Sequence, residues 1–357
     1  MRVWFTGVAG LAIAMAAGGC TTSRYDGPQG LDAIGDPAVP VTAKVETIVT
    51  TDPTVDADDP ALWADRSAPS RALMFGTDKT DGLYVHNLDG TVRQFIPAGQ
   101  LNNVDLREGF TANGRDNVLV GATNDGQGRI GINLFLLDPA TLDVSEYGII
   151  TTDIEEPYGF CMGKRGDDFF LVVTTKTGTV HQWQVMPGEN GPETGPEREL
   201  VLETQLEGCV VDEEEDMLYV GEEDAAIWRF DFDPDGSSEP TRFASVDYER
   251  IKDDVEGLTI MRDGAESYLI ASSQGDSTFP VYRITDNQRE YLGRFAVVES
   301  EATDEITHTD GLDAWSGAIG DYPEGALAIH DDYETPGEDQ QNYKIVDWRD
   351  VRQALGL

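Results

Sequence analysis

A pattern of roughly 50 residues recurs along the chain, and this recurrence limits the fold more than any other feature. The four clearest copies begin with a polar residue followed by glycine, and two or three short apolar runs come next. Their glycines are Gly159, Gly208, Gly257 and Gly311, at spacings of 49, 49 and 54 residues. The apolar runs are separated by Gly, Asp, Asn and Pro, which is typical of consecutive short strands.

Two weaker copies precede these four, one beginning at Asp59 and the other at Val104. Six units of this length match four-stranded propeller blades with generous loops. One blade cannot bury both of its faces alone, so six should stack around a channel. We therefore predict an all-β chain that forms a six-bladed β-propeller with four-stranded antiparallel blades. A two-domain β-sandwich, the alternative, would not explain six units. A short helix is expected only near the end, from Trp348 to Leu355.

The polar residues at the starts of the units should meet at one mouth of the channel, because equivalent positions on successive blades lie at similar heights. Carboxylates held together repel one another unless a cation or protons neutralise them. Oxygen ligands favour calcium over zinc, and the chain has only four histidines. The polar residues in question are Asp58, Asp59, Tyr158, Glu207, Asp254, Glu256 and Asp310.

One stretch, Glu207 to Glu223, is predicted to form a β-hairpin that places Glu207 and the pair Glu222/Glu223 at the same edge. The acidic turn between them, Asp212 to Asp216, should point away from the site and be solvated.

The charge is extreme, with 67 acidic and 25 basic residues and a net of −42. Such a surface repels nucleic acid and anionic lipid, so we exclude both as partners. The acidity serves solubility, the binding of divalent cations, or both. Apolar residues make up 39% of the chain, enough for a packed core.

The first 20 residues are predicted to be an export signal, because Arg2 precedes an apolar run that ends in Ala17-Gly18-Gly19-Cys20. Small residues before a cysteine are typical of bacterial lipoproteins, so lipid attachment at Cys20 is the first expectation and plain secretion the alternative. Residues 21–40 should be a flexible tether, and residues 41–357 the propeller. We expect an exported monomer, either a periplasmic or outer-membrane lipoprotein or a secreted protein.

Three further segments invite a local prediction. Cys161 and Cys209 are expected to be buried small hydrophobes, with a disulfide as the minority option. The segment 231–236 imitates the start of an EF-hand loop but has Arg242 at its twelfth position, so we interpret it as an inter-blade turn. Near the end, Asp331, Asp332 and Asn342 offer a possible stabilising calcium site, and 344–348 a late strand that helps to close the ring.

The chain resembles the β-propeller phytases, the calcium-dependent alkaline phytase family, from Thr42 to Gly356. Many short motifs in order carry this resemblance, whereas any one alone would be weak. They are 56–63 (DADDPALW), 76–79 (GTDK), 101–107 (LNNVDLR), 156–159 (EPYG), 207–208 (EG), 222–228 (EEDAAIW), 254–259 (DVEGLT), 272–275 (SSQG) and 309–311 (TDG).

The resemblance implies a hydrolase that removes phosphate from calcium-complexed phytate, myo-inositol hexakisphosphate, with several catalytic and structural calcium ions. It implies that Lys79 and Lys176 contact substrate phosphate and, with Glu207 and Tyr158, form the catalytic set. It implies a structural calcium site at Asp59, Pro60 and Val104. The implied ligands of the catalytic ions are Asp58, Tyr158, Glu207, Glu223, Asp254, Glu256, Gln274 and Asp310.

Three positions depart from the family pattern: Thr80, Asp125 and His308 replace a lysine, an arginine and an aspartate that relatives tend to carry. Arg129 is a candidate substitute for the missing arginine. No histidine acid phosphatase motif occurs, and neither Cys161 nor Cys209 has the arginine that a cysteine phosphatase loop requires. Water is therefore the expected nucleophile. The alternatives are a non-catalytic calcium-binding propeller that displays a ligand surface, and a phosphodiesterase or lactonase-like propeller.

Overall fold

The computed structural model describes residues 35–47, 56–126, 128–154, 156–285, 288–332 and 341–357, and in them nearly all regular structure is β. The strands are β1 (Val39–Val41), β2 (Val45–Glu46), β3 (Ala57–Ala64), β4 (Ala72–Asp78), β5 (Gly82–His86), β6 (Val92–Pro97), β7 (Leu101–Ala112), β8 (Arg115–Asn124), β9 (Gly131–Asp138), β10 (Asp143–Ile150), β11 (Pro157–Arg165), β12 (Asp168–Thr175), β13 (Thr179–Gly188), β14 (Gly191–Val201), β15 (Leu206–Asp212), β16 (Met217–Glu222), β17 (Ala226–Asp231), β18 (Thr241–Ser245), β19 (Val255–Asp263), β20 (Glu266–Ser273), β21 (Phe279–Thr285), β22 (Gln288–Val297), β23 (Leu312–Ser316), β24 (Gly325–Asp331) and β25 (Asn342–Asp347). The helix α1 spans Trp348–Leu355, as predicted.

These strands form six sheets that follow one another along the chain. The first four blades each consist of four consecutive antiparallel strands, β3–β6, β7–β10, β11–β14 and β15–β18. The first strand of each blade contacts the first strand of the next, and the contacts close into a ring through β3, β7, β11, β15, β19 and β23. The predicted six-bladed propeller is confirmed.

The last two blades use strands from both ends of the chain. The fifth blade, β19–β22, gains β1 as a fifth strand, which runs parallel to β22. The sixth blade takes β23, β24 and β25 from the C-terminal end and β2 from the N-terminal end. The predicted late strand is therefore β25, and the ring closes where β2 pairs with it. Because β1 begins at Val39 and pairs with β22, the last residues of the segment expected to be a tether belong to the fifth blade.

Apolar side chains fill the space between neighbouring blades. Phe110 on β7 packs edge to face on Phe169 of the third blade, at 5.2 Å between ring centroids, and Phe170 packs similarly on Phe232 near the fourth. Each such layer is shared by two adjacent sheets, so every blade depends on both of its neighbours.

A disulfide joins Cys161 on β11 to Cys209 on β15, with 5.6 Å between the Cα atoms. The expectation that both cysteines are free buried thiols is wrong. Adjacent inner strands bring the two residues within disulfide reach, and that proximity is a property of blade packing which spacing in the sequence does not reveal.

Two predictions about acidic turns are also corrected. The EF-hand-like segment 231–236 connects β17 to β18 of one sheet, so it is a turn within a blade rather than between blades. The turn 212–216 is more than solvated: Asp212 is fully buried and its Oδ1 lies 2.7 Å from Nη2 of Arg262, while Asp216 pairs with Arg165. Removal of these cations would leave uncompensated carboxylates.

The predicted export signal, residues 1–20, lies outside the described residues. Within the described part of the chain, the one α-helix is too short and too polar to cross a bilayer.

Candidate metal centre and phosphate site

Five of the six blade starts carry a β-bulge at or next to a residue that was predicted to form the site. In five of the six inner strands the register with the next strand shifts at this point, and the shift falls around Asp58, Asn103, Tyr158, Glu207 and Glu256. A bulge bends its strand and re-aims the side chain there. The repeated bulge thus places polar side chains from successive blades at the same mouth of the channel.

The glycine after each polar residue has a steric cause. A Cβ on Gly159 would lie 2.0 Å from the carbonyl oxygen of Glu207, and one on Gly208 would lie 1.8 Å from that of Glu256. Real side chains cannot approach so closely, so any other residue would push the next blade away. The polar residue and glycine that mark each repeat therefore lie where one blade contacts the backbone of the site residue in the next blade.

Three buried carboxylates form the centre of the site. Glu207, Glu223 and Glu256 each offer one oxygen, and these oxygens all lie within 4.8 Å of one another. Burial raises the pKa of Glu223 to about 7, with Glu207 and Asp254 adding to the effect, and burial together with Glu207 holds the pKa of Glu256 well above its usual range. The three glutamates cannot all be ionised there without a compensating cation.

Tyr158 borders this group and hydrogen-bonds the carboxylate of Glu207. Burial and the nearby carboxylates of Glu207 and Glu256 raise the pKa of the Tyr158 hydroxyl, so the phenol stays protonated. It therefore orients Glu207 as a donor and cannot serve as a base.

A second group of predicted residues surrounds Lys79. The Lys79 Nζ lies 2.8 Å from Oδ1 of Asp58 and 3.7 Å from Oδ2 of Asp310. Gln274 donates a hydrogen bond from Nε2 to Oδ1 of Asp310 at 2.5 Å. Burial raises the pKa of Asp310 to about 7, even though Lys79 lowers it. Glu207 contributes to the raised pKa of both aspartates, so the two groups adjoin.

The residues proposed for a structural calcium site lie together, but on the channel side of the cluster. Asp59, Pro60 and Val104 line a channel cavity of about 390 Å³. One oxygen of Asp59, Oδ2, accepts the backbone N–H of Val104 at 2.9 Å. The proximity of the three residues agrees with the sequence prediction, and the binding of an ion there stays a prediction.

Lys176 lies at the rim of the site. Its Nζ stands 4.3 Å from the centre of the Tyr158 ring and 2.8 Å from Oε1 of Glu156. Burial and Glu156 raise the pKa of Asp125, which also feels the charge of Lys176. Arg129 does not compensate for the acidic residue: it donates to the carbonyl oxygen of Ala98 and lies near Glu146.

Sequence reasoning missed two kinds of site residue. Asp224 and Asp253 form a second acidic group with Asp254, and the tandem acids in the sequence were a usable signal. His330 and Tyr343 hydrogen-bond to the backbone of Asp310 and Asp58, respectively. The repeat pattern did not indicate them, because it marks the inner strands and these two residues lie on the middle strands of the sixth blade.

The residues at the channel mouth fit a hard divalent cation. Oδ2 of Asp58, Oε1 of Glu223 and Oε2 of Glu256 are buried and have no hydrogen-bond partner among the residues that the structure describes. Buried polar atoms are rarely left unpaired, so three such oxygens in one place call for a ligand. The donors are oxygens from carboxylates and an amide, beside a phenol, and such oxygen ligands suit hard divalent cations.

Fold and site together define a class: a six-bladed propeller with an acidic, oxygen-rich centre and two lysines at one mouth of its channel. The family model described as Phytase matches residues 27–357. The 3-phytase of Bacillus subtilis (strain 168) is 34% identical over 330 aligned positions, which cover 88% of this chain and 85% of that protein. The chain therefore belongs to the phytase family, and it is a phosphoric monoester hydrolase.

A solved structure, that of BBS1N in complex with ARL6DN, soaked with mercury, aligns with 88% of this chain and with 98% of its own chain. Its TM-score is 0.45 and its sequence identity 13%. A likeness at this level says nothing about function.

Proposed function

We propose that this chain is a calcium-dependent phytase that releases phosphate from calcium-complexed phytate. The observation that carries the proposal is the group of buried carboxylate oxygens without partners, next to Lys79 and close to Lys176. The similarity to a 3-phytase supports phytate as the substrate and the 3-phosphate as the first one removed.

Electrostatics supports a metal in this role. A chain with net charge −42 repels a hexaphosphate. Divalent cations invert the local sign, so the carboxylates that would repel the substrate become the scaffold that attracts it. The predicted ligands Asp58, Glu207, Glu223, Glu256 and Asp310 supply the negative charge for more than one such ion.

When bound, calcium would polarise the phosphoryl oxygens and acidify a bound water. The chain's own groups do the positioning on which phosphoryl transfer depends. Lys79, held between Asp58 and Asp310, is placed to donate hydrogen bonds to phosphate oxygens at the centre of the site. Lys176 is placed to do so at the rim. Tyr158 keeps Glu207 in one orientation.

Direct attack by water is favoured over a covalent intermediate. Cys161 and Cys209 are joined in a disulfide, so neither thiol is free to attack. His330 lies behind Asp310 with its Nδ1 accepting a backbone N–H, and burial lowers its pKa to about 4. In the described part of the chain, the site groups thus act on water and phosphate rather than as nucleophiles.

Export stays part of the proposal, because Cys20 and its preceding small residues predict a lipoprotein. Calcium at extracellular concentration would then fill weak sites.

The test is a phosphate-release assay on phytate with a calcium titration. We expect activity to rise with calcium, to vanish with a chelator and to return when calcium is restored. Glu207→Gln should lose the activity, whereas Glu239→Gln, between β17 and β18, should keep it. Undiminished hydrolysis in excess chelator would refute the metal mechanism. Calcium binding without turnover would favour the non-catalytic alternative.

A further inference from the structure

Two side chains of the sixth blade reach behind the candidate site and hold its backbone. His330 on β24 is fully buried, and its Nδ1 accepts the backbone N–H of Asp310 at 3.0 Å. The backbone N–H of His330, as distinct from its ring, donates to the carbonyl oxygen of Gly311. His330 therefore contacts the chain on both sides of the Asp310–Gly311 bond, and its Nδ1 also lies 3.6 Å from Oδ2 of Asp310, the carboxylate oxygen that faces Lys79.

Tyr343 on β25 does the same for the first blade. Its hydroxyl accepts the backbone N–H of Asp58 at 3.1 Å and donates to the carbonyl oxygen of Thr77 at 2.7 Å. The ring fits because residue 76 is glycine: a Cβ there would lie 2.3 Å from a Tyr343 ring carbon. Thr77 extends the network, since its hydroxyl oxygen accepts the N–H of Asp59 at 3.0 Å.

These contacts converge on one pair of carboxylates. His330 and Tyr343 occupy paired positions on β24 and β25, and their rings meet edge to face at 6.1 Å. A direct bond joins the two backbones they hold, from the N–H of Gly311 to the carbonyl oxygen of Asp58. Asp58 and Asp310 in turn flank Lys79 from two blades.

We propose that His330 and Tyr343 are positioning residues, which fix the backbone of Asp310 and Asp58 so that both carboxylates face Lys79 and the bound metal. The inference rests on the proposed function of this site and assigns it two further residues. Sub-ångström placement matters because phosphoryl transfer gains its rate from alignment of charges. Neither side chain is placed to touch substrate, so their effect acts through the carboxylates.

Two variant sets test the proposal. Tyr343→Phe removes the hydroxyl and keeps the ring beside Gly76. His330→Leu removes the acceptor, whereas His330→Asn keeps an acceptor near Nδ1. His86→Leu is the matched control: His86 is also buried and meets the same Tyr343 ring at 6.4 Å, but it makes no hydrogen bond to the site carboxylates in the described part of the chain. Tyr282→Phe controls for loss of a buried hydroxyl in the fifth blade.

We expect Tyr343→Phe and His330→Leu to lower kcat roughly tenfold, because each leaves a buried backbone N–H unpaired at a site carboxylate. Calcium affinity measured by calorimetry should fall in the same two variants. KM for phytate should change little, since Lys176 is untouched. His330→Asn should recover most of the loss, and both controls should match the parent.

Values of kcat and calcium affinity within twofold of the parent in Tyr343→Phe and His330→Leu would overturn the inference. So would equal losses in His86→Leu, since packing alone would then explain them. If the parent released no phosphate, the proposed function would fail, yet calcium calorimetry on the same variants would still decide whether these residues shape the metal centre. Thermal unfolding of each variant separates misfolding from mispositioning.

Discussion

In the proposed mechanism, protons and metal ions compete for the same oxygens at the channel mouth. Burial is the first cause of the raised pKa of three acids there, and repulsion from neighbouring carboxylates adds to it: the pKa is about 7 for Glu223, about 6 for Asp254 and about 7 for Asp310. A carboxylate in this state gains from losing its charge, either to a proton or to a cation. Replacing one of these acids by its amide should therefore change the stability of the protein in opposite directions with and without calcium at high pH.

Asp310→Asn tests this competition, because asparagine resembles the protonated acid. The pKa of Asp310 in the folded protein is about 7, against an ordinary value of 3.8. The contribution of this carboxyl to the stability of the folded protein is therefore greatest at low pH and is lost as the pH rises through 7. In chelator at pH 8 we expect Asp310→Asn to unfold at a higher temperature than the parent, and the gap to shrink toward pH 4. With calcium at pH 8 the order should reverse, because a ligand is lost.

The control for this measurement is Asp235→Asn, since Asp235 is exposed in the turn between β17 and β18. The difference in unfolding temperature between this control and the parent should not depend on pH. An Asp310→Asn protein less stable than the parent in chelator at pH 8 would contradict the argument that unneutralised charge destabilises the empty site.

Lys176 offers a prediction about substrate binding alone. Its ammonium group lies at the rim over Tyr158 and pairs with the half-exposed Glu156, so it contributes little to stability. We expect Lys176→Gln to raise KM for phytate roughly tenfold through loss of one charge-assisted contact, with kcat and melting temperature nearly unchanged. Lys44→Gln, which breaks a remote surface pair with Asp350, is the control. An unchanged KM would remove Lys176 from the phosphate site.

At the scale of strands, the repeat predicted most of the architecture because the physics behind it is local. The polar–Gly step marks a bulge and a close approach between blades, so its period reports the blade count. The same step identified Glu207, Glu256 and Asp310. What escaped prediction depends on contacts between strands far apart in sequence: the Cys161–Cys209 bond, and His330 behind Asp310. No spacing in the sequence carries that information.

The disulfide gives the prediction at this scale. Cys161 and Cys209 are 48 residues apart and join the inner strands β11 and β15, whose first residues include Tyr158 and Glu207. Closing a loop of this length restricts the unfolded chain, so Cys161→Ala/Cys209→Ala should lower the free energy of unfolding by about 4 kcal/mol. Denaturant unfolding with calcium present measures this. A reductant should destabilise the parent and leave the double variant unaffected. Equal midpoints for both proteins would show that the bond adds no stability.

For the whole molecule, the decisive point is where the ring closes. Lys344 on β25 is fully buried at the place where the two ends of the propeller meet. Its Nζ lies 2.6 Å from Asp304 and 3.8 Å from Glu46 of β2, and it contacts Asp331 of β24. The sequence suggested calcium near Asp331 and Asn342. The structure places a lysine ammonium beside Asp331, so a tethered cation already offsets one of the three carboxylate charges at this junction.

Ring closure also reaches the candidate site, because the backbone N–H of Tyr343 donates to the hydroxyl of Thr47 at 3.0 Å, and Val45 pairs with Ile345. We predict that a chain beginning after Thr47 loses both stability and activity, since the sixth blade keeps only three strands and its buried Lys344 loses Glu46. The melting temperature should fall by roughly 10 °C, and calcium affinity should weaken because Tyr343 holds Asp58. A chain that begins at Gly35 is the control and should match the parent.

A synthetic peptide of residues 35–47, added to the chain that begins after Thr47, makes this prediction sharper. If β1 and β2 act by completing the fifth and sixth sheets, the peptide should restore part of the melting temperature and part of the calcium affinity in a concentration-dependent way. A scrambled peptide should restore neither. Full activity and an unchanged melting temperature in the truncated chain would mean that the ring closes without its N-terminal strands, and that the sixth blade positions Asp58 by itself.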